Sequence, residues 1–131
     1  MNQKTALIVD DVPDFRFSVG LTLKNSGFNV LEARDGYEAL EKLAGLTEAG
    51  YQADLIICDI VMPGMNGLDF LETIYFRDYQ TRVIVMTGYG NRTIKDKLRK
   101  MGYHCIIEKP FSADALMHRV KSVFEQECQQ K

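Results

Sequence analysis

The chain has 131 residues, of which 46% are hydrophobic and 26% charged, a composition typical of one soluble globular domain. The net charge of −2 disfavours a protein that binds nucleic acid through its overall charge. No apolar run approaches the roughly 20 residues that span a bilayer, and no signal peptide is visible, so we expect a cytoplasmic protein without a membrane segment.

The first half of the chain predicts two strands and two helices. An apolar run over residues 5–9 predicts a buried strand, and a helix follows over residues 13–26. Residues 28–33 alternate in polarity, which indicates a half-exposed strand near an edge of the sheet. Asp35, with a glutamate three residues later, caps a second helix, and residues 45–50 are predicted to form a loop or a frayed helix end.

The second half continues the alternation of strands and helices. Its predicted elements are a strand at 55–58, a helix whose apolar face includes Tyr75, a strand at 83–86, a basic helix at 91–101, a short strand at 105–107 and a helix that begins after Ser112. The strands at 55–58 and 83–86 are apolar on both faces, which predicts central parallel strands. Cys58 and Cys105 lie in apolar runs and are predicted to be reduced core thiols. Residues 125–131 are polar and are predicted to be a frayed tail of a single domain over 1–131.

This order of elements predicts an α/β fold with five helices on both faces of a five-stranded parallel sheet, in three layers. Right-handed crossovers restrict the topology, and the doubly wound, flavodoxin-like strand order 2-1-3-4-5 fits best. In such a sheet, ligands bind beyond the carboxyl ends of strands 1 and 3. Those strands run directly into Asp10 and Asp11 and into Asp59.

Five polar side chains are therefore expected at one edge of the sheet, because strand 4 ends at Thr87 and strand 5 ends at Lys109. Three converging carboxylates repel one another, and a hard cation such as Mg²⁺ would compensate them. A carboxylate can also act as a nucleophile and form an aspartyl-phosphate, whose oxygens an ammonium and a hydroxyl would bind. Taken singly, each residue has an ordinary structural explanation, such as helix capping for Asp10 and Asp11.

Together these residues resemble the receiver domain of response regulators in two-component signalling. The resemblance is carried by Asp10-Asp11, Asp59 before the turn Met62-Pro63-Gly64-x-Asn66-Gly67, Thr87, and Lys109-Pro110-Phe111. It covers essentially the whole chain and implies a phosphorylation-dependent switch. Such a protein takes a phosphoryl group from a histidine kinase or phosphotransfer protein, and it catalyses its own phosphorylation and slow dephosphorylation without turning over a metabolite.

The resemblance also implies a role for each site residue. Asp59 would be the phosphoacceptor, and Asp11, Asp59 and the backbone carbonyl of Val61 would ligate Mg²⁺, while Asp10 would act through metal-bound water. Thr87 would move toward the phosphoryl group and Lys109 would pair with it. The peptide bond between Lys109 and Pro110 would be cis, a form that is accessible mainly before proline.

Three positions depart from the family pattern or modulate it. Ile106 stands where the family commonly has an aromatic ring that rotates with the threonine, so the usual switching relay is in question and Tyr89 is the candidate replacement. Val61 and Tyr89 would flank the path of water to the phosphoryl group. Because neither side chain orients water well, we expect slow autodephosphorylation.

Two surfaces are candidates for partner binding. On the first helix, Phe17 and Leu21 point away from the stripe that faces the core, and we predict that they dock the partner kinase. The basic helix at 91–101 belongs to the helix 4–strand 5–helix 5 surface that the family uses for dimers or protein targets. Its charge fits an acidic protein partner or an ordinary solvated face, and DNA is the weaker alternative.

Two other functions are alternatives to a receiver domain. A Mg²⁺-dependent aspartyl-phosphate phosphatase needs a D-x-D motif on strand 1, but here Asp10-Asp11 is followed by Val12. A flavodoxin-like flavin carrier needs a neutral phosphate loop at the position where these acids would repel a phosphate. The sequence leaves open the kinase, the target, the oligomeric state and whether the chain is part of a longer protein.

Overall fold

Five parallel strands form one sheet in the computed structural model, which describes residues 3–60, 67–76, 81–88 and 92–125. In chain order the strands are β1 (Thr5–Val9), β2 (Asn29–Ala33), β3 (Leu55–Asp59), β4 (Arg82–Thr87) and β5 (Ile106–Glu108). The helices are α1 (Pro13–Asn25), α2 (Gly36–Glu48), α3 (Gly67–Phe76), α4 (Arg92–Lys100) and α5 (Ala113–Phe124). The strand order is 2-1-3-4-5, which confirms the predicted topology.

The sheet divides the apolar core into two layers because successive side chains of a strand point to opposite faces. Leu7 of β1 and Ile56 of β3 face a layer that α2, α3 and α4 complete with the following buried side chains: Ala39, Leu43, Phe70, Leu71, Ile74 and Leu98. Ile8 and Ile57 face the opposite layer, which α1 and α5 complete with Val19, Leu23, Leu116, Val120 and Val123. All five residues of β3 are buried, as expected for a central strand.

Two local predictions were wrong. Helix α2 continues to Glu48, whereas residues 45–50 were predicted to be a loop or frayed end. Leu46 packs against the core of that layer, and this contact keeps the last turn helical until Gly50 takes a φ of 84°. Tyr75 was predicted on the apolar face of α3 but is exposed, with its ring beside Gly102.

The cysteines and the edge strand follow the predictions where the structure describes them. Cys58 and Cys105 are both buried and neither forms a disulfide, and Cys128 lies outside the described residues. Strand β2 pairs only with β1 in the sheet order and is partly exposed. Among the described helices, none has the length and apolar character needed to cross a membrane.

Candidate functional site

The strand register brings the polar residues of the sequence to one end of the sheet. Val9 of β1 lies opposite Cys58 of β3, so Asp10 and Asp59 follow at the same level on adjacent strands. Both aspartates are buried, with 0% and 7% of their surface exposed. Strand β4 brings the buried Thr87 to the same edge.

Three carboxylates form a cluster at this edge. One carboxylate oxygen from each of Asp10, Asp11 and Asp59 lies within 4.8 Å of the others. Asp11 is the most accessible of the three, so the cluster opens toward solvent. Oxygen donors alone, with room for water on one side, are the ligand set that Mg²⁺ prefers. The donor set of this cluster therefore fits Mg²⁺.

Lys109 holds two of these carboxylates together. Its Nζ donates to Asp59 Oδ2 at 2.7 Å and to Asp10 Oδ2 at 2.9 Å. Burial alone lowers the pKa of Lys109, but the hydrogen bonds and charges of Asp59 and Asp10 outweigh it and raise the pKa above the ordinary value of 10.5. Lys109 is consequently an ammonium at neutral pH and compensates part of the negative charge at the site.

Two aromatic rings complete the surroundings of this ammonium. Lys109 Nζ lies 4.3 Å from the centre of the Phe15 ring, within the range of a cation–π contact. Phe111 meets Phe15 edge to face, with ring centres 5.5 Å apart. Phe15 also packs against the core layer that α1 and α5 complete. Its second contact, with Lys109, depends on how α1 crosses the sheet.

Asp10 is fixed by its own backbone and by a neighbouring arginine. Its Oδ1 accepts a hydrogen bond from the Val12 N–H at 2.8 Å, and its backbone carbonyl accepts one from Arg16 Nη1 at 2.7 Å. Arg16 Nε also donates to Glu32 Oε1 at 2.8 Å, which ties α1 to β2 beside the site. The N-cap residue of α1 is Val12, and it makes no side-chain capping bond. Neither Arg16 nor Glu32 was predicted as a site residue, although an arginine soon after the aspartate pair was a visible signal.

Thr87 carries an unsatisfied hydroxyl. Among the residues that the structure describes, its Oγ1 is the one buried side-chain oxygen or nitrogen without a hydrogen-bond partner. Its backbone carbonyl accepts the Lys109 N–H at 2.8 Å, so β4 and β5 hold the two residues side by side. An unsatisfied buried hydroxyl is destabilising, so we interpret the Thr87 hydroxyl as a group that is available to bind a ligand.

The backbone behind Asp59 is packed tightly. A Cβ at Gly67 would lie 2.2 Å from the Asp59 carbonyl oxygen and 2.4 Å from the Ile60 Cα, so only glycine fits at this start of α3. The Gly67 N–H donates to the Ile60 carbonyl at 2.8 Å. Cys58 Sγ donates to the Asp59 carbonyl at 3.1 Å, and burial, followed by the two nearby carboxylates, raises the pKa of the Cys58 thiol. Cys58 is thus a neutral core thiol.

The remaining predicted positions fall into three groups. The peptide bond between Lys109 and Pro110 is cis. Ile106 is buried, and Phe17 and Leu21 are exposed by 58% and 48%. Val61, Tyr89 and the turn residues 62–66 lie outside the described residues, so the predictions made for them stay predictions.

Comparison with known proteins gives a consistent family match. A family model described as "Response regulator receiver domain" matches residues 6–121. The curated protein "Regulator of RpoS" of Escherichia coli K12 is 39% identical over 107 residues, which are 82% of this chain and 30% of that protein. The chain therefore spans less than a third of that relative's length.

Two further matches cover about nine-tenths or more of both this chain and the matched chain. "Sporulation initiation phosphotransferase F" of Bacillus subtilis is 31% identical over 121 residues, which are 92% of this chain and 93% of that protein. A chain of the CheX-CheY-BeF3-Mg+2 complex from Borrelia burgdorferi superposes with a TM-score of 0.83 at 30% identity, covering 92% of this chain and 89% of that one.

Proposed function

Because the chain belongs to the family of response regulator receiver domains, which are phosphorylation-dependent signalling switches, we propose that its phosphoacceptor is Asp59. The observation that carries the proposal is the pairing of the buried Asp59 carboxylate with Lys109 at 2.7 Å, inside the three-carboxylate cluster. The family match favours neither the aspartyl-phosphate phosphatase nor the flavin carrier.

The proposed step is an attack of an Asp59 carboxylate oxygen on the phosphorus of a phosphohistidine. A P–O bond forms while the P–N bond breaks, and the histidine nitrogen keeps the electron pair. The Lys109 ammonium is already within hydrogen-bond distance of Asp59 and would bind an oxygen of the arriving group. The unsatisfied Thr87 hydroxyl would bind another.

We also propose how the cluster would hold Mg²⁺. Asp11 and Asp59 would ligate the ion directly together with the Val61 carbonyl, and Asp10 would contact it through water. Asp10 is the most deeply buried of the three and already bonds Lys109 and Val12, which supports a less direct role. When bound, the ion offsets the negative charge that the phosphoryl group adds to the site.

The role of a receiver domain indicates which classes of protein would be partners of this chain. The donor would be a histidine kinase or a phosphotransfer protein, and the exposed side chains of Phe17 and Leu21 would dock it on α1. A Phe17→Ala variant should then lose phosphotransfer from a partner kinase while acetyl phosphate still labels it. Equal labelling by the kinase would rule out this docking surface. The output would leave through α4, β5 and α5 to a protein partner.

We propose further that residues 1–131 form a single receiver domain, which acts as a switch and turns over no metabolite. Beyond Glu125, the predicted frayed tail over 125–131 lies outside the described residues. The family match at 6–121 supports the domain. A cytoplasmic location stays a prediction from the sequence.

The test of the proposed function is phosphorylation with acetyl phosphate and Mg²⁺, followed by mass spectrometry of the intact protein and of its peptides. We expect one added phosphoryl group on the wild type and none on Asp59→Asn. A peptide that carries the group on Asp10 would support the phosphatase alternative and overturn the proposal. Omission of Mg²⁺ should slow the labelling strongly.

A further inference from the structure

The ammonium of Lys109 contacts an aromatic ring in addition to the two carboxylates that it joins. The Lys109 side chain is 22% exposed, and its Nζ donates to Asp59 Oδ2 and to Asp10 Oδ2. Because an ammonium has three N–H donors, one donor remains after these two bonds. The same Nζ lies over the Phe15 ring, 4.3 Å from the ring centre. The face of this ring is therefore the third described surface that the ammonium meets.

Packing holds the Phe15 ring in this orientation. Phe15 lies in the first turn of α1, four residues before the buried Val19, so both side chains project from the side of α1 that faces the sheet. The ring of Phe111 meets the Phe15 ring edge to face, at an interplanar angle of 79°. Phe15 and Phe111 also pack against the same core layer. These contacts fix the plane of the Phe15 ring and keep its face toward Lys109.

An aromatic face provides the ammonium with an attraction that an aliphatic side chain of similar size lacks. The face carries the negative part of the ring quadrupole, and its attraction for a cation is stronger where water is excluded. A carbonyl or carboxylate oxygen at this place would bond the third N–H directly and would have to be displaced by a ligand. The ring attracts the cation less strongly than an oxygen would, so the N–H can turn to an arriving oxygen.

We propose that Phe15 is a positioning residue for phosphoryl transfer: its ring holds the Lys109 ammonium in place and leaves one N–H for an oxygen of the incoming phosphoryl group. With acetyl phosphate, an Asp59 oxygen attacks the phosphorus, the P–O bond to the acetyl group breaks, and acetate leaves with the electron pair. Lys109 bonds a phosphoryl oxygen during this step. This role of Phe15 rests on the proposed function, because it needs Asp59 as the phosphoacceptor.

Ring fluorination tests the electrostatic part of this contact at nearly constant shape. Phenylalanines with one, two or three ring fluorines, introduced in place of Phe15 by codon suppression, weaken the attraction of the ring for a cation in steps. We expect the initial rate of Asp59 labelling by acetyl phosphate and Mg²⁺ to fall at each step, to about one-fifth of the wild-type rate with three fluorines. Phe15→Leu, which has no aromatic face, should lower the rate at least as far.

Phe124 offers a matched control because its ring makes the same kind of contact at the other end of the sheet. Lys4 directly precedes β1, and its Nζ lies 5.2 Å from the centre of the Phe124 ring. The same fluorinated residues in place of Phe124 weaken a cation–π contact that is remote from the carboxylate cluster, so the labelling rate should stay that of the wild type. A labelling rate that does not respond to fluorination of Phe15, or equal falls at both positions, would overturn the proposal.

NMR of the protein with isotope-labelled lysine observes the contact without any phosphoryl donor. The ring current of Phe15 should shift the ε-methylene protons of Lys109 upfield, and Phe15→Leu should remove this shift while thermal unfolding reports an intact fold. An unshifted Lys109 signal in the wild type would overturn the proposal. If the wild type is not labelled on Asp59, the proposed function fails and the role of Phe15 fails with it. If the wild type is labelled normally and fluorination has no effect, the role of Phe15 fails alone.

Discussion

Polar groups at the two ends of the sheet differ in how fully they are hydrogen-bonded. At the amino end, which precedes β1, β3 and β4, the side chains of Asp54 and Thr81 each have a partner of their own. Asp54 Oδ2 accepts the Thr5 N–H at 2.8 Å, and the Asp54 carbonyl accepts the Arg82 N–H at 3.1 Å. The Thr81 hydroxyl donates to the Ala53 carbonyl at 2.8 Å.

At the carboxyl end, the polar groups are more buried and less completely bonded. Asp10 and Asp59 share one ammonium, and the Thr87 hydroxyl has no partner among the described residues. Asp54 and Thr81 at the amino end are therefore bonded within the protein, whereas the Thr87 hydroxyl at the carboxyl end keeps its hydrogen-bonding capacity for a ligand. Substitutions at the amino end should change stability alone, and those at the carboxyl end should change phosphorylation or switching, with effects on stability of either sign.

The largest effect is expected for Lys109→Met. Removal of the ammonium leaves Asp10 and Asp59 as buried like charges, and breaking such a pair lowers the free energy of unfolding by about 3–5 kcal/mol. Mg²⁺ should restore part of this loss because a cation in the cluster replaces the missing charge. Urea unfolding with and without Mg²⁺ measures both effects, and labelling by acetyl phosphate should fall at least about tenfold.

The exposed Lys97 offers a control, because Lys97→Met changes the net charge equally on the surface. It should leave both stability and labelling unchanged. If Mg²⁺ stabilises Lys109→Met no more than it stabilises Lys97→Met, the cluster is not the metal site.

A substitution at the amino end should lower stability and leave phosphorylation unchanged. Asp54→Ala removes the acceptor of the Thr5 N–H and should lower the free energy of unfolding by about 2 kcal/mol. The rate of labelling by acetyl phosphate should stay that of the wild type, and Asp54→Asn, which keeps an acceptor, should recover most of the stability. A slower labelling rate at full folding would contradict the division between the two ends.

Much of this division could be predicted from the sequence, because strand periodicity and strand ends are local signals. The runs at 55–58 and 83–86 identify buried central strands, and parallel topology then brings Asp10, Asp59 and Thr87 to one end. The predicted strand order is confirmed by the structure.

Contacts between elements could not be predicted in the same way. The ring of Phe15 over Lys109 and the contact of Arg16 with both Asp10 and Glu32 depend on where α1 crosses the sheet, which no periodicity encodes. The lack of a hydrogen-bond partner for the Thr87 hydroxyl among the described residues is likewise a property of packing. Helix α2 was predicted too short because Gly45 suggested an end, while the core contact of Leu46 extends it.

The smallest effect, and the sharpest contrast, is expected from one substitution made at both ends. Thr87→Val keeps the shape and removes a buried hydroxyl that has no partner in the described part of the chain, so the free energy of unfolding should rise by about 1 kcal/mol. Thr81→Val removes a hydroxyl bonded to the Ala53 carbonyl and should lower it by about 1 kcal/mol. Urea unfolding of both variants gives the two signs directly.

In Thr87→Val, beryllofluoride should no longer shift the NMR signals of α4 and β5, whereas in Thr81→Val it should shift them as in the wild type. Two losses of stability of the same size would mean that the Thr87 hydroxyl is satisfied in the folded protein, and the carboxyl end would then be as complete as the amino end.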